Sequence, residues 1–184
     1  QSSRFCTEEW QDDAFYFSSA VKEACRLVQL CGLNDATRFV DIGSGQGRMA
    51  IGLRAMFPTL KSYLGIDVHA ASVAWCNRYL ARPNFRFLHV DTKNERYNPE
   101  GRYTGRLPVA DQSADIIFLY SVFTHMRLSD IQGHVSEIGR ALAPGGRCLL
   151  TIYAEQWPKE EEENPPGYLS ELGNHSGALH RVVI

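Results

Sequence analysis

Short apolar runs alternate along the chain with segments whose apolar residues recur every three or four positions. The runs predict β-strands, and the three-to-four spacing predicts helices. The predicted strands lie at 37–42, 61–66, 85–90, 115–120 and 147–153. The predicted helices lie at 46–57, 70–80 and 129–142, after one amphipathic helix, or a bent pair, at 8–33. This alternation favours an α/β fold with a doubly wound, mostly parallel sheet covered by helices on both faces.

The first helical segment is expected to bury one face against this sheet. Its regularly spaced apolar positions are Phe17, Ala20, Val21, Ala24, Leu27, Val28 and Cys31. Residues 1–33 are therefore interpreted as a helical cap on a core at 34–153, within a single domain. Residues 154–184 hold a run of four glutamates and two adjacent prolines. They are expected to form a mobile loop and then the start of another strand at 178–184.

Composition narrows the class of protein and its partners. The 184 residues are 44% hydrophobic, which is typical of a folded globular chain. The longest apolar run, 116–120, is too short to cross a membrane. The formal net charge of −2 predicts neither nucleic-acid nor membrane binding. Five cysteines without a C-x-x-C pair indicate a reduced, cytoplasmic protein, and no metal is expected because no histidine has metal-ligand spacing.

A glycine-rich turn follows the first predicted strand and is the strongest candidate site. Its sequence, residues 41–48, is Asp-Ile-Gly-Ser-Gly-Gln-Gly-Arg. The alternate glycines, Gly43, Gly45 and Gly47, allow a ligand to approach the backbone around Ser44 and Gln46. The helix that begins there favours an anion, and Asp41 can accept from an amine, so a ligand carrying both groups fits best. A dinucleotide fingerprint would need a third glycine where this chain has Arg48.

Two further acids follow the next two strands. Asp67 ends the second strand and is expected to accept from ribose hydroxyls, with a role as a helix cap as the alternative. Asp91 ends the third strand and is expected to meet the edge of an adenine ring. Helix capping or simple solvation is an almost equal alternative for Asp91.

These motifs in this order resemble the class I S-adenosylmethionine-dependent methyltransferases, in their small-molecule branch. The resemblance spans about residues 14–153 and rests on the glycine turn, Gly-Ile-Asp at 65–67, His-Val-Asp at 89–91, residues 114–125 and Leu-Ala-Pro-Gly-Gly-Arg at 142–147. It implies a Rossmann-like methyltransferase fold with S-adenosylmethionine as cofactor. That family completes seven strands, so the carboxyl-terminal strands are expected to be incomplete here.

The resemblance also implies roles for individual residues. Gly43, Gly45 and Gly47, with Ser44 and Gln46 between them, would lie against the methionine part of the cofactor. Asp41 would lie near its ammonium group, Asp67 beside Val68 would hold the ribose, and Asp91 with Thr92 would flank the adenine. Tyr120 and Ser121 would line the sulfonium.

Methyl transfer from a sulfonium needs alignment of a nucleophile, and a base helps when the nucleophile is a hydroxyl. His125, just after the fourth strand, is the candidate base, with a structural histidine as the alternative. Tyr16 and Tyr153 are candidates for the wall of the pocket for a small-molecule acceptor, although packing aromatics explain both as well.

Two other functions remain open at this stage. One is a cofactor-binding scaffold that has lost catalysis, and the other is a nicotinamide-dependent oxidoreductase, which Arg48 disfavours. A nucleobase acceptor is also disfavoured. The run Asn-Pro-Pro-Gly-Tyr at 164–168 resembles the motif of nucleobase amine methyltransferases, but it follows the fifth strand and has a glycine in place of the aromatic residue.

Overall fold

The structure is a computed structural model that describes residues 8–94, 97–102, 106–123, 126, 128–154 and 178–183. A short 3-10 helix at Glu8–Gln11 precedes four α-helices. These are α1 (Asp13–Cys31), α2 (Arg48–Met56), α3 (Ala70–Tyr79) and α4 (Leu128–Ala141). The strands are β1 (Arg38–Ile42), β2 (Ser62–Asp67), β3 (Phe85–His89), β4 (Ala114–Leu119), β5 (Leu142–Ala154) and β6 (Ala178–Val183).

The six strands form one sheet in the order β3-β2-β1-β4-β5-β6. The first five run parallel, and β6 pairs antiparallel with β5. The predicted mostly parallel sheet is confirmed, and so is a further strand at the predicted place near residue 178. Because the strand order reverses between β1 and β4, the carboxyl edge of the sheet contains a topological switch point there. Open α/β proteins bind ligands at such points.

Alternate side chains of the strands enter two separate apolar cores. Phe39, Tyr63 and Phe118 pack with α1, α2 and α3 on one face. Val40, Ile117 and Leu119 pack on the other face with Ile138 of α4. Helices therefore cover both faces, which confirms the doubly wound class. No helix in the described ranges is both long and apolar enough to cross a membrane.

The expected start of β5 at residue 147 is wrong, because the strand begins five residues earlier. Leu142 pairs with Ala114 of β4, and the next pair joins Arg147 to Ile116. Residues 143–146 bulge out of the ladder between these pairs, with Gly145 at a φ of +77°. Helix α4 ends at Ala141, before the Pro-Gly-Gly sequence as expected, but that sequence lies inside a bulged strand rather than in a loop.

The buried face of α1 contains four of the seven expected positions, Ala20, Ala24, Leu27 and Cys31, but it differs from the prediction elsewhere. Phe17 and Val28 are 45% and 39% exposed, whereas Glu23 is only 2% exposed and forms an ion pair of 2.8 Å with Arg26. The buried residues of the helix are Tyr16, Ala20, Glu23, Ala24, Leu27 and Cys31. The helix stops at Gly32, as predicted, which adopts a left-handed conformation.

Helix α1 packs closely on α2 at its buried face. A Cβ atom at Gly52 of α2 would lie 2.8 Å from the carbonyl carbon of Ala20 and 2.9 Å from its Cβ atom. The two helix backbones therefore approach each other at Ala20, and this contact fixes which side of α1 turns inward.

This close approach predicts that Gly52→Ala destabilises the protein by about 1–3 kcal/mol, because the added methyl group forces the helices apart. Gly139→Ala is the matched control, since the position is also helical and no atom lies within 4 Å of the added Cβ. It should stabilise the protein by about 0.5–1 kcal/mol through helix propensity. Urea unfolding measures both, and equal effects of the two substitutions would contradict the proposed contact.

Candidate functional site

Four residues of the predicted site follow four neighbouring parallel strands. Asp91 follows β3, Asp67 ends β2, Gly43 follows β1, and Ser121 follows β4. The strands lie in register, with Ile42 opposite both Ile66 and Leu119. Parallel strands are about 4.8 Å apart, so the four residues form a row along the carboxyl edge of the sheet. The row crosses the switch point between β1 and β4.

The glycine turn is held in place by hydrogen bonds to β2. The amides of Gly43 and Ser44 donate to the Ile66 carbonyl at 2.8 and 3.1 Å. The Gly45 amide donates to Asp67 Oδ2 at 2.7 Å, and the Gly47 amide donates to the Ser44 carbonyl at 2.9 Å. These four amides are thus used to build the turn. Helix α2 begins only at Arg48, two residues later than predicted, because the turn extends through Gly47.

Side chains added at two glycines of the turn would meet different surroundings. At Gly43, with a φ of +74°, an added Cβ would lie 2.5 Å from Val122 Cγ2. At Gly45, with a φ of +51°, an added Cβ would meet no atom within 4 Å. Gly43 is nevertheless exposed, and Gly45 and Gln46 are half-buried, so the backbone from Gly43 to Gln46 is accessible at these three residues.

Ser44 carries an unusual buried hydroxyl group. The residue is 6% exposed, and its Oγ is the one buried side-chain nitrogen or oxygen in the described ranges without a hydrogen-bond partner. It lies beside β2, where a Cβ on Gly65 would be 3.0 Å away. Buried polar atoms normally have partners, so this hydroxyl can still accept or donate one bond.

Asp67 connects the end of β2 to two backbone segments. Its Oδ2 accepts from Gly45, and its Oδ1 accepts from the His69 amide at 2.7 Å. Burial raises the pKa of Asp67, and these backbone donors oppose the increase. The N-cap of α3 is His69, whose side chain accepts from Ser72, so the alternative role of Asp67 as that cap is wrong. Val68 is half-buried between Asp67 and His69.

Asp41 lies beneath the turn rather than at its surface. It is 2% exposed, and Tyr63 donates its hydroxyl to Asp41 Oδ2 at 2.6 Å. Burial raises the pKa of Asp41 to about 7, although the Tyr63 hydrogen bond and the charge of Arg48 lower it. The thiol of Cys76 lies 3.5 Å from the Gly45 carbonyl, and burial raises the pKa of this thiol to about 12.

Asp91 and Thr92 begin a compact loop at the end of β3. Asp91 is exposed, and its Oδ1 accepts from the Asn98 side-chain amide at 3.0 Å. The same amide donates to the Thr92 carbonyl at 3.1 Å. Asp91 therefore braces the loop and caps no described helix.

A cation lies over two neighbouring aromatic rings at the other end of the row, with the ring centres of Trp10 and Tyr120 6.4 Å apart, which the sequence did not reveal. The Arg48 guanidinium lies 4.5 Å from the ring centre of Tyr120 and 5.0 Å from that of Trp10. Arg48 occupies the first position of a helix, where a cation is electrostatically unfavourable. That conflict is the one sequence signal that could have identified it.

Ser121 follows Tyr120 in a left-handed backbone conformation that residues other than glycine rarely adopt. Its φ is +58°, and its amide donates to the hydroxyl of Thr151 at 2.6 Å. Thr151 is 1% exposed and lies on β5. The end of β4 is thus held in a strained turn by its neighbouring strand, which is common at functional sites.

Of the candidates for acceptor binding and catalysis, Tyr16 is the one whose side chain the structure describes. Tyr16 is 7% exposed, and its ring centre lies 6.1 Å from that of Trp10. Tyr153 belongs to β5, but its side chain lies outside what the structure describes, and so does His125 as a whole. Among the described residues, no group of three or more histidine, cysteine or acidic side chains is arranged to hold a metal ion.

A sequence model of the family described as a methyltransferase domain matches residues 40–150, which is more than half of the chain. The match covers the turn and the whole row of strand ends. The chain therefore belongs to the class I S-adenosylmethionine-dependent methyltransferase family.

Solved structures share the fold. They include the YcgJ protein of Bacillus subtilis (23% identity, 74% of this chain and 51% of that chain, TM-score 0.55). Another is an S-adenosylmethionine-dependent methyltransferase of Mesorhizobium loti (18% identity, 73% and 54%, TM-score 0.54). A third is the [4+2]-cyclase SpnF (23% identity, 77% and 47%, TM-score 0.59). This chain spans about half the length of each.

The burial of Asp41 predicts how stability depends on pH. Its pKa is about 7 in the folded state and near 3.8 in the unfolded chain, so the folded state binds more protons between these values. The free energy of unfolding should therefore fall as the pH rises through this window, by at most about 1.4 kcal/mol per pH unit. Asp41→Asn should flatten this slope in urea titrations, and an unchanged slope would contradict the assignment.

Proposed function

We propose that this chain binds S-adenosylmethionine and transfers its methyl group to an oxygen or nitrogen atom of a small molecule in the cytoplasm. The observation that carries the proposal is the row of site residues across the switch point, built around a glycine turn that Asp67 holds. Membership of the methyltransferase family supports the reaction type. The acceptor class rests on the resemblance and on a charge balance that does not favour nucleic acid.

The residues present fit this cofactor. The open backbone at Gly45 and the unpartnered Ser44 hydroxyl offer room and a polar group on the amino-acid side. Asp67 keeps further lone pairs beside its two backbone donors, which suits ribose hydroxyls. The proposed cofactor-binding residues are Asp41, Gly43, Ser44, Gly45, Gln46, Gly47, Asp67, Val68, Asp91, Thr92, Tyr120 and Ser121.

The bound cofactor supplies a methyl group that its sulfonium already activates. The protein has to bind, orient and exclude water. The N-terminus of α2 favours the carboxylate of the amino-acid part, and ionised Asp41 favours its ammonium group. Tyr120 and the turn at Ser121 would border the reacting carbon. Tyr16 and Tyr153 remain proposed walls of the acceptor pocket, and no metal ion is part of the proposal.

Two alternatives have different standing. The family match removes most support from a nicotinamide-dependent oxidoreductase. A scaffold without catalysis is the second candidate, because one fold hosts several chemistries, as the likeness to a [4+2]-cyclase illustrates.

We expect S-adenosylhomocysteine to bind the protein in calorimetry while NAD does not. Asp67→Ala should weaken this binding at least about tenfold, because two backbone segments and the ribose lose their acceptor. Asp35→Ala is the control, since Asp35 accepts from Thr59 in an exposed loop ahead of β1. Binding of NAD alone, or equal affinity of the Asp67 variant, would contradict the proposal.

Catalysis needs a separate measurement from binding. Incubation with cofactor labelled on its methyl group and a metabolite extract should give a labelled small molecule. A scaffold would give none. In that assay His125→Ala should lower turnover roughly 10²-fold or more while affinity for S-adenosylhomocysteine is retained. Turnover at the wild-type rate would remove His125 as the base.

A further inference from the structure

Asp41 is a carboxyl group with almost no access to water. It lies on β1 between Val40 and Ile42, which enter the opposite apolar core. Its one described side-chain hydrogen bond comes from the hydroxyl of Tyr63 on β2, at 2.6 Å. A buried carboxylate needs such donors, because the loss of water strongly favours the neutral acid.

The ring of Tyr63 is fixed on several sides. Its centre lies 5.1 Å from that of Phe85, 5.5 Å from that of Phe87 and 5.9 Å from that of Phe39. The residue is 1% exposed. The aromatic stack therefore determines where the hydroxyl points, and the hydroxyl in turn determines where Asp41 Oδ2 lies. None of the sequence motifs includes Tyr63.

We propose that Tyr63 is a positioning residue of the cofactor site, whose hydroxyl donates to Asp41 and orients it beneath the glycine turn to receive the ammonium group of the cofactor. This inference rests on the proposed function. Tyr63 touches no ligand itself. It acts through Asp41, and its effect should appear only for ligands that carry the ammonium group.

Charged and titratable groups of β2, α1, α2 and α3 lie around Asp41 and Tyr63. Arg48 of α2 favours the ionised form, whereas Asp67 at the end of β2 disfavours it. Cys76 of α3 and Tyr16 of α1 face the pair, and burial holds the pKa of Cys76 high enough to keep it neutral. Burial and the charge of Asp41 raise the pKa of Tyr63 well above its usual value, so Tyr63 remains a donor throughout the neutral range.

The test compares two probes on Tyr63→Phe, which keeps the ring stack and removes the hydroxyl. S-adenosylhomocysteine carries the amino-acid headgroup, and 5′-methylthioadenosine lacks it. In the wild type, affinity for S-adenosylhomocysteine should rise with pH as Asp41 ionises. In the variant this midpoint should move upward by about one pH unit, which makes binding about fivefold weaker near pH 7 and about tenfold weaker well below it. Affinity for 5′-methylthioadenosine should stay within about twofold.

Tyr79→Phe is the matched control. Tyr79 is 52% exposed on α3, and its ring packs on Trp75, so removal of its hydroxyl should leave both affinities and the midpoint unchanged. Equal losses for both probes in Tyr63→Phe, or an unmoved midpoint, would show that Tyr63 is only a packing residue and would overturn the inference. Failure of the wild type to bind either probe would overturn the proposed function and the inference with it.

A measurement on the wild type alone covers the case in which the variant does not fold. Calorimetry in buffers of different ionisation enthalpy gives the number of protons released on binding. S-adenosylhomocysteine should release a substantial fraction of one proton near pH 6.5, where Asp41 is largely neutral before binding and the amine is already protonated. 5′-Methylthioadenosine should release almost none. Release of no proton with either probe would overturn the inference.

Discussion

The carbonyl oxygen of Ile66 accepts the amides of both Gly43 and Ser44, and the carboxylate of the next residue accepts the amide of Gly45. Donors and acceptors belong to neighbouring parallel strands, so the turn can form only when Ile42 lies opposite Ile66. A slip of one residue would also turn every side chain of β2 to the other face. The same register thus builds both cores and shapes the site.

The burial of Asp41 beneath the turn is energetically unfavourable. A carboxyl group beneath the turn loses its water, and its pKa rises to about 7 for that reason. An apolar residue at this position would be easier to bury. The protein instead surrounds the carboxyl with a tyrosine donor and a nearby arginine, and it leaves the Ser44 hydroxyl without a partner. Such departures from ordinary core composition are typical of sites that bind or react.

The order of strands and helices, the glycine turn and the row of strand-end residues follow from local patterns, and the sequence predicts them. Features that depend on distant partners do not. The close contact between α1 and α2 depends on Gly52 meeting Ala20, and the early start of β5 depends on its pairing with Ala114. The bond between Tyr63 and Asp41 joins positions 22 residues apart, and Tyr63 belongs to none of the motifs. Spacing along the chain carries no information on such contacts.

The contacts of Arg48 with the rings of Trp10 and Tyr120 lie on the proposed acceptor side of the site. A cation at the start of α2 loses up to about 1 kcal/mol to the helix dipole. Two aromatic faces return a comparable or larger amount when the cation is partly buried. Trp10 belongs to the N-terminal helical segment, and Tyr120 follows β4. One side chain next to the glycine turn therefore holds the N-terminal segment against the proposed methyl-transfer site.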